Sequence, residues 1–147
     1  MYDAVVAGGS ISGLLSAREI AKNGHSVLVL EEGFEVGSPE HCGGLVSENA
    51  LKELGIDPSP KTFDSKIECA KIFSPKGKEI TINSKKQKII VINRRELDKQ
   101  AARQARDNGA EISVKTSFQE KTNNLIRTSN GNLECKFFVD CRGVSRL

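Results

Sequence analysis

The residues best equipped for chemistry stand near the start of the chain. Gly8-Gly9-Ser10-Ile11-Ser12-Gly13 lies between a short apolar run, Tyr2 to Ala7, and a stretch with helical periodicity. The pattern is GxSxxG, a variant of the GxGxxG turn in which backbone amides surround a diphosphate. Gly8 permits the tight turn, and Gly13 lets helix and strand pack closely. Ser10 brings a hydroxymethyl group to the position that usually has no side chain. It either crowds a phosphate or donates a hydrogen bond to it. The unpaired amides and positive dipole end of the helix attract the anion. Glu31 ends the next apolar run, eighteen positions after Gly13. A carboxylate there accepts hydrogen bonds from both ribose hydroxyls of an adenosine and repels a 2′-phosphate. The competing reading is a surface acid beside a Gly-rich turn that binds nothing. It is the weaker one, because turn, helix and acid occur in the order a dinucleotide site needs.

These residues need a scaffold, and the pattern supplies one. Ile11, Leu14, Leu15, Ala17, Ile20 and Ala21 recur at helical spacing, and Gly24 ends the helix. Ser26 to Leu30 reads as a second buried strand, which completes a right-handed β-α-β crossover. Glu32 to Gly44 reads as an ordered loop. Ser47 caps a short helix carrying Leu51 and Leu54, closed by Gly55. Lys66 to Ser74, Lys78 to Asn83 and Lys88 to Ile92 read as strands, the first two joined by a turn at Pro75 to Gly77. Asn93 and Glu96 resemble a capping box for a helix that buries Leu97, Ala101, Ala102 and Ala105 and stops at Gly109. Glu111 to Val114 is a further strand. Phe118 to Phe138 suggests a hairpin around Asn130-Gly131, and Phe137 to Cys141 a last strand. The expected class is α/β: a Rossmann-type β-α-β domain with inserted strands that begin a second sheet layer, incomplete at the C-terminus. Its parts are 1–57 (crossover and loop), 58–92 (an excursion of strands towards a substrate domain) and 93–147 (return helix and strands).

Composition narrows the classes of function. With 37% hydrophobic and 28% charged residues over 147 positions, one globular domain is expected. The net charge is +3, and the basic residues are scattered apart from Lys85-Lys86 and Lys88, which read as a solvated loop. No dense basic face with interleaved aromatics suggests nucleic-acid binding. No apolar run spans a bilayer and no signal peptide is evident, so the expected location is cytoplasmic with at most peripheral membrane contact. Cys42, Cys69, Cys135 and Cys141 show no CxxC spacing and no metal pattern with His25 or His41, which suits a reduced compartment.

Two further segments carry a family resemblance. Glu31-Glu32-Gly33-Phe34-Glu35-Val36-Gly37-Ser38-Pro39-Glu40-His41-Cys42-Gly43-Gly44 resembles the flavin loop of the geranylgeranyl reductase family, with its Gly-Ser-Pro-x-x-Cys-x-x-Gly stretch. Val91-Ile92-Asn93-Arg94-Arg95-Glu96-Leu97-Asp98 is similar to that family's Arg-x-x-Phe-Asp segment, with Leu97 in place of the aromatic. The resemblance covers nearly the whole chain. It implies a para-hydroxybenzoate hydroxylase-like flavoprotein that binds FAD. It further implies hydride transfer to an isoprenoid lipid or other small molecule, with a reduced nicotinamide or ferredoxin as electron donor. Carried over, Ser12 joins Gly8 and Gly13 at the phosphates, and Glu31 takes the ribose. Cys42, Gly43 and Gly44 line the flavin side, Arg94 approaches the polar middle of the cofactor, and Phe118 meets the adenine end through its backbone. No catalytic residue is implied, and Cys42 is not read as a nucleophile.

The chain departs from the family near its end. Arg142 occupies the acidic place of an Asp-Gly turn, a charge reversal that would add affinity beside a pyrophosphate but remove whatever the carboxylate organised. Family members continue well beyond the length seen here, so the chain alone is not expected to shield a flavin ring against substrate. An FAD-dependent aromatic monooxygenase and a non-catalytic nucleotide-binding remnant are the alternatives. The Gly-Ser-Pro…Cys loop favours the reductase over the first.

Overall fold

The structure, a computed structural model, describes residues 1–39, 42–83 and 88–144. In chain order its elements are β1 (Tyr2–Ala7), α1 (Ile11–Lys22), β2 (Val27–Leu30), β3 (Leu45–Ser47), α2 (Glu48–Glu53), β4 (Phe63–Ile67) and β5 (Cys69–Phe73). They continue as β6 (Glu79–Asn83), β7 (Ile89–Ile92), α3 (Arg94–Asp107), β8 (Glu111–Ser113), β9 (Phe118–Thr122), β10 (Leu125–Thr128) and β11 (Gly131–Asp140). The chain divides into two compact units, one of Met1–Glu40 with Arg95–Leu147, the other of His41–Arg94.

The first unit is built on a six-stranded sheet in the order β8-β2-β1-β11-β10-β9. The first four strands run parallel, and β10 and β9 extend the sheet antiparallel. The all-apolar VLVL of β2 is buried at every position, as a strand covered on both faces requires. Alternation along β1 and β2 then feeds two cores. Ala4, Val6, Val27 and Val29 join Leu14, Ala17 and Ala21 of α1 and Ala101, Ala102 and Ala105 of α3. Val5, Leu28 and Leu30 join Ile126 and Cys135 on the other side. The α/β class and the opening β-α-β unit are therefore as expected.

One expectation in this unit is corrected. Phe118 to Phe138 is not a single hairpin but a meander with two turns, the unforeseen one at Asn123, where φ is +53°. The expected strand Phe137 to Cys141 is the second half of β11. That ten-residue strand pairs antiparallel with β10 at its start and parallel with β1 from Cys135 onward. Both halves are extended, so no local period marks the change of partner.

The second unit contains the antiparallel sheet β3-β7-β4 and the hairpin β5-β6. Ile56, Ile90, Ile92 and Leu51 are buried in it. Ser47 caps α2 as expected, its Oγ accepting from the Ala50 amide at 3.4 Å. The turn at Pro75 to Gly77 is also present, with Gly77 at φ +77° and its amide on the Ser74 carbonyl at 2.9 Å. The expected strand Lys66 to Ser74 is instead two strands in different sheets, parted at Glu68. β3 was not anticipated at all: its three residues become a strand only by pairing with β7. His41 and Lys85-Lys86 lie outside the described residues.

Candidate dinucleotide-binding site

β1 runs directly into the glycine turn, and the Gly8 amide donates to the Leu30 carbonyl at 2.8 Å, tying the turn to the end of β2. Gly8 has φ +108°, and a Cβ there would run into the Cys141 carbonyl. Any L side chain is thus disfavoured twice, by conformation and by space. A Cβ at Gly13 would overlap the Gly8 carbonyl oxygen and lie 3.2 Å from Val6 Cγ1. Helix and strand touch at that point, as the glycine spacing implied.

Ser10 is the N-cap of α1, with extended backbone, yet its side chain caps no helix amide. Its carbonyl accepts the first helical bond from Leu14 at 2.9 Å, so the amides of Ile11 to Gly13 stand outside the ladder. Ser12 is exposed, its carbonyl accepting from Ser16 Oγ at 2.8 Å. No acidic residue occupies the first turn of α1 itself.

Glu31 faces this turn. Its Oε2 accepts from the Gly9 amide at 2.8 Å and its Oε1 from the Gly33 amide at 2.7 Å. Its backbone is held as well, the amide donating to Ser113 and the carbonyl accepting from Thr116. A carboxylate offers about four acceptor sites, so each oxygen keeps capacity for one more donor. Gly9 and Gly33 escaped the sequence reading as functional positions. A Cβ would lie 2.7 Å from Oε2 at Gly9 and 2.9 Å from Oε1 at Gly33. The available signal was a second glycine after Gly8 and a Glu-x-Gly at the strand end.

Phe118 opens β9 and stacks on Phe138 with ring centroids 4.7 Å apart. The Arg142 guanidinium covers the Phe118 ring at 4.6 Å. Arg142 is also bound to Asp140, through Nε at 2.9 Å, Nη2 at 2.6 Å and its own amide at 3.1 Å. Those bonds hold the Asp140 carboxyl below its usual range. The reversed charge at Arg142 is therefore paired with Asp140.

The remaining candidates belong to the second unit. Cys42 and Gly43 are exposed. Gly44 is buried at φ +72°, its carbonyl accepting from the Ile92 amide at 2.9 Å, and a Cβ there would run into the Ile92 carbonyl. The close approach of β7 is thus sufficient reason for a glycine at that position. Arg94 is the half-buried first residue of α3. The structure gathers Gly8, Ser10, Ser12, Gly13 and Glu31 around one turn, places Phe118 in the same unit, and groups Cys42, Gly43, Gly44 and Arg94 in the other. Among the described residues there is no cluster suited to a metal ion and no helix long and apolar enough to cross a membrane.

Residues 6–71 match the family described as NAD(P)-binding Rossmann-like domain. The digeranylgeranylglycerophospholipid reductase of Methanocella arvoryzae is 36% identical over 118 residues, which is 78% of this chain and 30% of that protein. A geranylgeranyl bacteriochlorophyll reductase-like protein from Thermoplasma acidophilum superposes with a TM-score of 0.85 at 29% identity, over 97% of this chain and 39% of that one. The chain is similar to the N-terminal portion of geranylgeranyl reductase family proteins. It spans about a third of the length of the curated relatives it matches. A probable FAD-dependent monooxygenase from Pseudomonas aeruginosa, 15% identical with a TM-score of 0.76 over 98% of this chain and 43% of that one, shares the fold alone. At 29–36% identity the geranylgeranyl reductases are nearer in sequence to this chain than the monooxygenase is, and the matched domain is of a dinucleotide-binding type.

Proposed function

We propose that this chain holds FAD and forms the cofactor-binding portion of a flavin-dependent reductase that saturates double bonds in isoprenoid lipids. The observation that carries the reading is the Glu31 carboxylate, drawn to the phosphate turn by the Gly9 amide at 2.8 Å while keeping acceptor capacity. The donor and acceptor set fits an adenosine diphosphate. Amides of Ile11 to Gly13, with the Ser10 and Ser12 hydroxyls, bind the diphosphate at the helix dipole. Glu31 accepts the two ribose hydroxyls, and its charge rejects a 2′-phosphate. Phe118 meets the adenine through its backbone. When bound, FAD supplies the hydride chemistry for reducing a carbon–carbon double bond. The chain's own task is to bind and orient it. A reduced nicotinamide or ferredoxin serves as electron donor, and the lipid is met from the cytoplasmic side by peripheral contact.

Calorimetric titration of the purified chain with FAD, ADP, NAD and NADP tests the cofactor assignment. Micromolar FAD binding, with ADP competing and NADP excluded, is the expected outcome. A chain that stays colourless and takes up no FAD removes the reading. In the longer protein, reduction of geranylgeranyl chains is expected, and substrate-dependent oxygen consumption would instead assign a monooxygenase.

A further inference from the structure

We propose that Arg142 and Phe118 form a stacking platform for the adenine ring, with Arg142 the positioning residue that makes the site prefer an adenine nucleotide. This rests on the dinucleotide reading above and gives the Phe118 side chain a part beyond its backbone contact. The first ground is position. The Cys141 amide donates to the Ala7 carbonyl at 2.8 Å, and a Cβ on Gly8 would lie 3.1 Å from the Arg142 amide nitrogen. Arg142 therefore leaves β11 beside the first glycine of the phosphate turn. Thr116, two residues before Phe118, donates to the Glu31 carbonyl at 2.8 Å. A ribose on Glu31 with its phosphates on α1 directs its base towards the remaining side, where these two strand ends emerge.

The second ground is charge. Arg142 is doubly bonded to Asp140 and lies in the field of Glu32 as well. With the Asp140 carboxylate already paired to it through two nitrogens, its charge is locally balanced, and it makes a poor partner for a phosphate. What it offers instead is a flat, delocalised surface. One face lies on Phe118 at 4.6 Å, and the side chain keeps 29% of its surface open. Guanidinium planes stack on nucleobases as aromatic rings do. The third ground is preorganisation. Bonds from Nε, Nη2 and the amide to one carboxylate, together with the ring contact, fix the plane before any ligand arrives.

The test compares ADP with inorganic pyrophosphate by calorimetry on the whole chain and on R142A, R142K and F118L, with thermal melts as folding controls. Stacking predicts that R142A weakens ADP about tenfold while pyrophosphate binding stays within about twofold. It also predicts that R142K does not restore ADP affinity and that F118L falls between. Parallel losses for both ligands, full restoration by R142K, or unchanged ADP affinity each overturn the platform. If R142A loses its cooperative melt, R142K alone decides, because lysine keeps the charge and removes the plane. An unsubstituted chain that binds neither ADP nor FAD overturns the dinucleotide reading itself, which separates the two failures.

Discussion

A carboxylate that accepts two backbone amides, as Glu31 does, still has lone pairs for two further donors. Its amide partners are charge-assisted, each contributing about 1.5–3 kcal/mol. Glu31→Gln places an amide NH₂ against one of those N–H groups. It should lower stability by roughly 1–3 kcal/mol in urea unfolding and weaken FAD binding at least tenfold. Glu32→Gln, at the exposed neighbouring position, should stay within about 0.5 kcal/mol of the parent. Equal effects from the two would mean that Glu31 has no special place. Gly13→Ala sets two forces against each other. Alanine favours a helix by about 1 kcal/mol, but its Cβ would overlap the Gly8 carbonyl oxygen, a backbone atom that cannot swing aside. Overpacking should win, with a net loss of about 1–3 kcal/mol and a displaced phosphate turn. A more stable Gly13→Ala protein would show that the turn yields.

At the scale of elements, β11 joins the parallel half of the large sheet to its antiparallel half, and Ile126 of β10 is fully buried beneath that junction. Ile126→Ala should cost about 2–5 kcal/mol, measured as a shift in denaturation midpoint. Phe137 on β11 is 70% exposed, and Phe137→Ala should change stability by less than about 0.5 kcal/mol. The contrast matters because side-chain size and hydrophobicity alone rank the larger aromatic as the better core residue. Reversal of the two effects would place the core on the other face. Ser47→Ala should remove about 1 kcal/mol through the α2 cap, a loss confined to the second unit and readable as faster amide exchange there.

Across the whole chain, acid should act on a dispersed set of carboxylates. Asp3 is held low by Lys136 and Ser26, Glu35 by Lys99 and Arg95, Glu48 by Lys52, and Asp140 by Arg142. Each folded-state pKa lies below its unfolded value. The stabilisation is therefore complete above the ordinary carboxylate range, near pH 4, and is lost as pH falls through the lowered values. The melting temperature should be flat from about pH 7 to 5 and then decline below about pH 4. Because these pairs are at the surface, salt should shrink the effect. A decline complete by pH 5 would contradict this assignment of charges.

Local chemistry was enough to determine the first thirty residues, since turn, helix stop and buried strand each follow from neighbours a few positions apart. Gly8, Gly13 and Glu31 were legible for that reason, from one backbone turn and one strand end, although the Cys141 carbonyl that also excludes a side chain at Gly8 comes from the end of the chain. The ends of α2 and the Pro75 to Gly77 turn were legible in the same way. Tertiary structure alone decided which strands pair. β3 exists because β7 lies beside it, and β4 and β5 part at Glu68 because they have different partners. It also decided that Arg142 lies on Phe118, twenty-four positions earlier in the chain. Strand partners and ring contacts depend on residues far apart in sequence, where no local period records the pairing.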